Sequence, residues 1–239
     1  MEFPYLLESA IEREAVTLLH AVFGGPWRDS APVDLETIVY DHLSPHENLI
    51  FDDEADLSPE DGEVVLGKTL PIRGKILLNR VLKDGEPGRA RFTLAHELGH
   101  WVLHRKLFLG RGEMLDLFAD SPADDDDYEF VGLNRSVFPA SCRPGAVARE
   151  EWQANRFAVA LLLDSDVLRE EFQARFGAGV LARSSAQWRA RTIRELASHA
   201  ARARVDRRPP LRDVFGLSTE AMAIALESRG HVVEATPVV

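Results

Sequence analysis

The sequence predicts an α+β fold, with a small β-sheet packed on a helical core. Apolar residues recur at three- and four-residue spacing over several long segments. Residues 48 to 79 instead hold short apolar runs broken by Asp, Gly and Pro. Composition supports the same class, since 239 residues of which 45% are apolar can bury a substantial core.

Taken in order, residues 6 to 23 place Leu7, Ile11, Ala15, Leu18, Leu19 and Val22 at helical spacing, and Gly24-Gly25-Pro26 closes that helix. A second, short helix is expected after Pro32-Val33, with Asp34 as its cap and Leu35, Ile38 and Val39 facing inward. The runs Asn48-Leu49-Ile50-Phe51, Glu63-Val64-Val65-Leu66 and Lys75-Ile76-Leu77-Leu78 read as strands. A strong helix follows from about Arg89 to His104, and another covers about Ala148 to Leu163. Between these two, residues 110 to 147 carry an acidic run and breakers such as Gly112, Pro122, Gly132, Pro139 and Pro144, so they read as a long loop or lid-like insertion. Helices are also expected at about Ala186 to Arg204 and Ser218 to Ser228, the latter capped by Ser218 and closed by Gly230. The expected division is a first domain over residues 1 to 165 and a helical C-terminal extension over 166 to 239 packed on it.

The formal net charge is −11, much of it in Asp52-Asp53-Glu54-Ala55-Asp56 and in the run around Asp124-Asp125-Asp126-Asp127. That balance argues against direct nucleic-acid binding, because phosphates would be repelled, and it suits a basic partner. The Asp run lacks the spaced ligands and glycine of an EF-hand and reads as a solvated loop. Arg202 to Arg208 is a small basic counterweight, read as a helix end and linker. The start of the chain has neither a basic n-region nor a sustained apolar stretch, and no run approaches the ~20 residues of a spanning helix, so neither a signal peptide nor a membrane association is expected. A single cysteine, Cys142, fits a cytoplasmic setting and lacks the surroundings of a nucleophile.

The informative segment is Phe92-Thr93-Leu94-Ala95-His96-Glu97-Leu98-Gly99-His100. Histidines four residues apart on a helix project from one face, one turn apart, so His96 and His100 can reach one ion at ~2.0–2.1 Å. Glu97, beside them, can take a proton from an activated water without ligating. The spacers Leu98 and Gly99 pack rather than compete. His104 shares the same face, but three ligands along one straight helix would span about 12 Å from first to last Cα. It is therefore expected in the core or behind a ligand.

A catalytic zinc site needs a third protein ligand and an open fourth position. Glu151 is the best donor, because on its helix it shares a face with Asn155, Ala158 and Leu162. Asn155, one turn on, can then steady a ligand by hydrogen bonding. Glu150 points about 100° away and is the competing donor, better suited to an exposed charge at the helix start.

The run from Arg91 to His100, followed some fifty residues later by Glu151, Ala154-Asn155, Phe157-Ala158 and Leu161-Leu162, resembles the ImmA/IrrE family of metallopeptidases. The Pro32-Val33-Asp34-Leu35 helix start and the stretch Val65 to Pro71 are similar to that family too, so the resemblance spans roughly residues 8 to 165. It implies zinc on His96, His100 and Glu151, with Glu97 as general base. It also implies a protein substrate, a helix-turn-helix transcriptional repressor cut in a stress or mobile-element response. The helix bearing His96 and the helix bearing Glu151 are expected to face each other across a metal cleft. The rival expectation is a non-catalytic, zinc-containing partner that regulates a repressor or toxin by binding; against it, a purely structural ion has no need of Glu97. For an additional oxyanion donor, Tyr128, His199 and His231 are the candidates.

Overall fold

Regular structure falls within each predicted segment, with shifted ends, in the computed structural model, which describes residues 4–25, 32–57, 64–85, 87–116, 130–133, 147–177, 180–182 and 192–233; residues 186–191 of the helix expected over Ala186 to Arg204 lie outside these. The fold is α+β and mostly helical, and the chain divides into two units: Met1–Pro26 with Asp34–Leu161, and Trp27–Val33 with Leu162–Val239. No helix among the described residues is long and apolar enough to cross a membrane.

The first unit opens with α1, Glu8–Phe23, which buries Ile11, Ala15, Leu18 and Leu19. Leu7, expected on that face, is instead the exposed residue preceding the helix. Gly24 closes α1 in the left-handed conformation at φ 74°, its N–H donating to His20 O. Asp34 caps the next segment as expected: Oδ1 accepts from Thr37 N at 3.1 Å and Oδ2 from Thr37 Oγ1 at 3.0 Å. That segment continues as a π-helix over Thr37–Leu43 and then α2, Ser44–Glu47. Glu47 ties it down, its Oε2 accepting from Trp101 Nε1 at 2.7 Å and from Arg105 Nη1 at 3.3 Å.

The sheet comprises β1 (Ile50–Ala55), β2 (Val65–Leu70), β3 (Lys75–Asn79) and β4 (Phe130–Leu133) in the order β1-β3-β2-β4. β1 runs parallel to β3, pairing Phe51 with Ile76, while β2 is antiparallel to both neighbours, pairing Thr69 with Ile76 and with Phe130. On β2, Gly67 and Thr69 are two residues apart and share a face. That face meets the long helix α3, Pro87–Asp116, because both residues approach Glu97. The acidic residues of β1 are partly neutralised there, Lys83 Nζ lying 3.3 Å from Asp53 and 2.5 Å from Glu54.

Two of these elements correct the expected loop over 110 to 147. Helix α3 continues through residue 116, and β4 lies inside the segment, paired along β2. The rest of it, including Cys142, Tyr128 and the Asp run, falls outside the described residues. Helix α4, Val147–Leu162, follows; its Ala154, Phe157, Ala158 and Leu161 are completely buried.

The second unit holds α5 (Ser165–Phe176), β5 (Leu181–Ala182), α6 (Ile193–Arg202), α7 (Leu211–Val214), α8 (Thr219–Ser228) and β6 (Val232–Val233). Thr192 caps α6 and Ser218 caps α8, each side-chain oxygen accepting a backbone N–H three residues on. Ala197, Ala200 and Ala201 of α6 are buried, as are Ala221, Met222 and Ala225 of α8, and the two helices pack together within this unit. His199 and His231 belong here; His231 is buried with its ring 4.8 Å from that of Phe172.

Candidate metal centre

Helix α3 is buried almost all round from Phe92 to Trp101, so the polar side chains in that stretch must find partners inside the protein. His96 and His100 lie one turn apart, their rings edge to face, with their Nε2 atoms 3.0 Å from each other. Glu151 of α4 straddles the pair: Oε2 lies 3.2 Å from His96 Nε2, and Oε1 lies 3.2 Å from His100 Nε2. Among the described residues these three form the one group of His, Cys, Asp and Glu donors that could hold an ion, all within 4.8 Å of one another.

The triangle has the right size for a metal. Donors ~2.0–2.1 Å from a tetrahedrally held ion stand about 3.3–3.4 Å apart, close to the observed edges of 3.0, 3.2 and 3.2 Å. Two imidazoles and a carboxylate suit zinc, with its tolerance of mixed nitrogen and oxygen ligands. The His100 side chain is 0% exposed and that of His96 9%, whereas Glu151 keeps 36%, so the carboxylate is the most accessible of the three donors.

Electrostatics point the same way. Burial pulls the His96 ring down, but the hydrogen bond and charge of Glu151, supported by Glu97 and Asn155, outweigh it and push the pKa up to about 9. Burial works against the Glu151 carboxylate too, yet the charges and hydrogen bonds of His100 and His96 hold it well below its usual range. Burial pulls His100 down. The cluster favours a cation at its centre, and a proton is the competitor that a metal would displace.

Glycines let these parts meet. A Cβ on Gly99 would lie 2.9 Å from both Cα and O of Ala154, so the bare backbone at position 99 is what lets α4 approach α3 closely enough for Glu151 to reach the histidines. Because the obstacle is backbone, no rotamer change relieves it. Gly99→Ala is therefore expected to cost ~1–3 kcal/mol of stability, as overpacking does. It should also weaken zinc binding by roughly tenfold or more, the usual scale for a disturbed ligand support. Thermal unfolding and a chelator competition measure the two effects, and zinc binding at wild-type strength would show that α4 is positioned by other contacts.

Glu97 sits beside the triangle without joining it. It is completely buried, with Oε2 accepting from Thr69 Oγ1 at 2.6 Å and Oε1 without a hydrogen-bond partner. A Cβ on Gly67 would come within 2.5 Å of that Oε1, so only glycine there leaves the carboxylate its place. Burial raises its pKa, and although His96 and Thr69 pull the other way, the group settles at about 7.

The remaining expected residues lie around these. His96 Nδ1 is 3.0 Å from Asn155 Oδ1, the ring N–H donating to the amide oxygen. His104 is outside the three-donor group, its Nδ1 3.1 Å from His100 Nδ1, and burial holds its pKa down to about 3. Glu150, expected as an exposed helix-start charge, is buried instead. It precedes Ala154, Phe157 and Leu161 by four, seven and eleven residues, which puts it at the head of the buried stripe of α4. Thr69, Gly67 and Gln153 escaped the sequence reading; only the strand register and the packing of α4 bring them to the site. A separate cavity of about 260 Å³, lined by residues including Tyr40, Phe51, Arg91 and Leu94, contains none of the three donors.

The chain matches no family model and no curated protein.

Proposed function

We propose that this protein is a metal-dependent endopeptidase, zinc being the chemical default, with His96, His100 and Glu151 holding the ion and Glu97 as general base. The observation that carries the reading is a buried carboxylate, with one oxygen lacking a hydrogen-bond partner, next to a three-donor triangle whose own carboxylate is part-exposed. A binding module would need the triangle at most, and would have no use for Glu97.

A zinc ion held there supplies the Lewis acidity that polarises a peptide carbonyl and makes a water nucleophilic near neutral pH. The protein's own residues do the rest. Thr69 fixes Oε2 of Glu97, which leaves Oε1 to take the proton of the attacking water. Burial, which raises the Glu97 carboxyl above its ordinary value, suits a group that must accept that proton and then return it to the departing amine. Asn155 keeps the His96 ring in register. In this reading α3 and α4 are the facing walls of a cleft that admits an extended peptide from the Glu151 side.

The resemblance of the His96 and Glu151 segments to the ImmA/IrrE peptidases supports a substrate class, a helix-turn-helix repressor cut in the cytoplasm during a stress or mobile-element response. The acidic balance of the chain is compatible with a basic protein substrate and opposes direct nucleic-acid binding. The test is to incubate zinc-loaded protein with the helix-turn-helix regulators encoded beside its gene. A discrete fragment that disappears with chelator and returns with zinc is the expected result. Relief of repression in cells with no fragment from any of them would leave regulation by contact.

A further inference from the structure

His104 and Gln153 are completely or almost completely buried polar side chains with no part in the mechanism above, and they lie in one line with His100. Gln153 Nε2 is 2.8 Å from Pro4 O, and Gln153 Oε1 is 2.8 Å from His104 Nε2. His104 Nδ1 is 3.1 Å from His100 Nδ1, and His100 Nε2 faces Glu151 Oε1 at 3.2 Å.

Hydrogen-bond chemistry gives this line a direction. A backbone carbonyl can only accept, so the amide NH₂ of Gln153 points at Pro4 and its oxygen points at His104. An amide oxygen can only accept in turn, so His104 carries its hydrogen on Nε2. With its hydrogen on Nε2, the neutral imidazole of His104 has its lone pair on Nδ1, 3.1 Å from His100 Nδ1, so His100 donates from Nδ1. The one remaining lone pair of the His100 ring is on Nε2, aimed at the centre of the triangle.

The segment that supplies Pro4 O lies along α4, with Tyr5 stacked on Trp152 at 6.3 Å and Glu8 Oε1 2.9 Å from Arg156 Nη1. These contacts lie next to the acceptor that orients Gln153.

We infer that Gln153 and His104 are positioning residues for the metal centre: they lock His100 in the tautomer whose Nε2 can ligate, and they connect that ligand to the N-terminal segment through Pro4. The inference rests on the metal-site reading above and adds to it a support for which the sequence carries no motif.

The test is a zinc titration of the full chain against a chromophoric chelator, with Gln153→Leu and Gln153→Glu beside wild type. Leucine removes the acceptor for His104, and the expected loss is about 10–100-fold in zinc affinity, the range seen when a ligand's hydrogen-bond partner is removed. Glutamate keeps an acceptor for His104 but gives up the bond to Pro4 O and buries a charge. The relay predicts affinity within a few-fold of wild type for it, whereas a merely structural Gln153 predicts that glutamate does at least as much harm as leucine. Gln153→Met, closer in flexibility and volume, carries the same expectation as leucine should that variant fail to fold. Cobalt-loaded protein gives a second readout by NMR: the His100 Nδ1–H proton, shifted by the metal, should exchange slowly in wild type and quickly in the leucine or methionine variant. Wild-type zinc affinity in Gln153→Leu or Gln153→Met, or weaker binding by Gln153→Glu than by either, would overturn the relay while leaving the metal site standing. Failure of wild type itself to bind zinc would overturn both.

Discussion

Replacing Glu97 by Gln is expected to lower turnover by about 10²–10⁴-fold while leaving zinc content and fold in place. The amide has the size of the carboxylate and can still accept from Thr69, so the packing against Gly67 and the bond to Thr69 Oγ1 both survive. What is lost is the proton acceptor. The same substitution also relieves the burial of a charge, so the variant should be at least as stable as wild type, and a fall in activity cannot be put down to unfolding. Single-turnover cleavage of a responsive substrate, with zinc measured in the same samples, separates the two effects. Cleavage at the wild-type rate by Glu97→Gln would remove the general base from the mechanism, and loss of zinc would make Glu97 a ligand instead.

Much of this site was legible because its chemistry depends on helical spacing. Histidines four apart, an acid next to the first, and Glu151 one turn before Asn155 are patterns that a single helix fixes whatever surrounds it. The caps at Asp34 and Ser218 were legible for the same reason, since each satisfies backbone donors within its own first turn. The features that escaped all depend on pairing between distant segments. Gly67 and Thr69 look like ordinary strand residues until the sheet is laid on α3, and Gly99 shows its purpose only when Ala154 is set against it.

The errors have physical causes as well. Gly112 reads as a helix breaker, yet α3 runs past it, since a penalty of roughly 1 kcal/mol for a glycine can be outweighed by the rest of so long a helix, and Gly132, read the same way, lies inside β4. β4 was hidden because four residues containing a glycine are a weak strand signal, and its pairing with β2 lies more than sixty residues away. Glu150 reads as exposed because a charge at a helix start usually faces water, whereas the buried stripe of α4 reaches back to it. Gln153 has no motif at all, being a neutral amide whose role follows from Pro4 and His104.

The second large effect concerns the metal itself. Glu151→Ala removes one of three donors and leaves two histidines without the carboxylate that balances a divalent charge, so zinc should be lost under conditions where wild type keeps it. Glu150→Ala, one residue away and outside the donor group, should retain zinc even if burial makes it costly to stability. Native mass spectrometry of wild type and the two variants, after exchange into metal-free buffer, reads the outcome directly. One zinc per wild-type chain, one in Glu150→Ala and none in Glu151→Ala is the result that three converging donors require; a wild-type chain without zinc after loading, or a Glu151→Ala chain that keeps it, would contradict the metal centre.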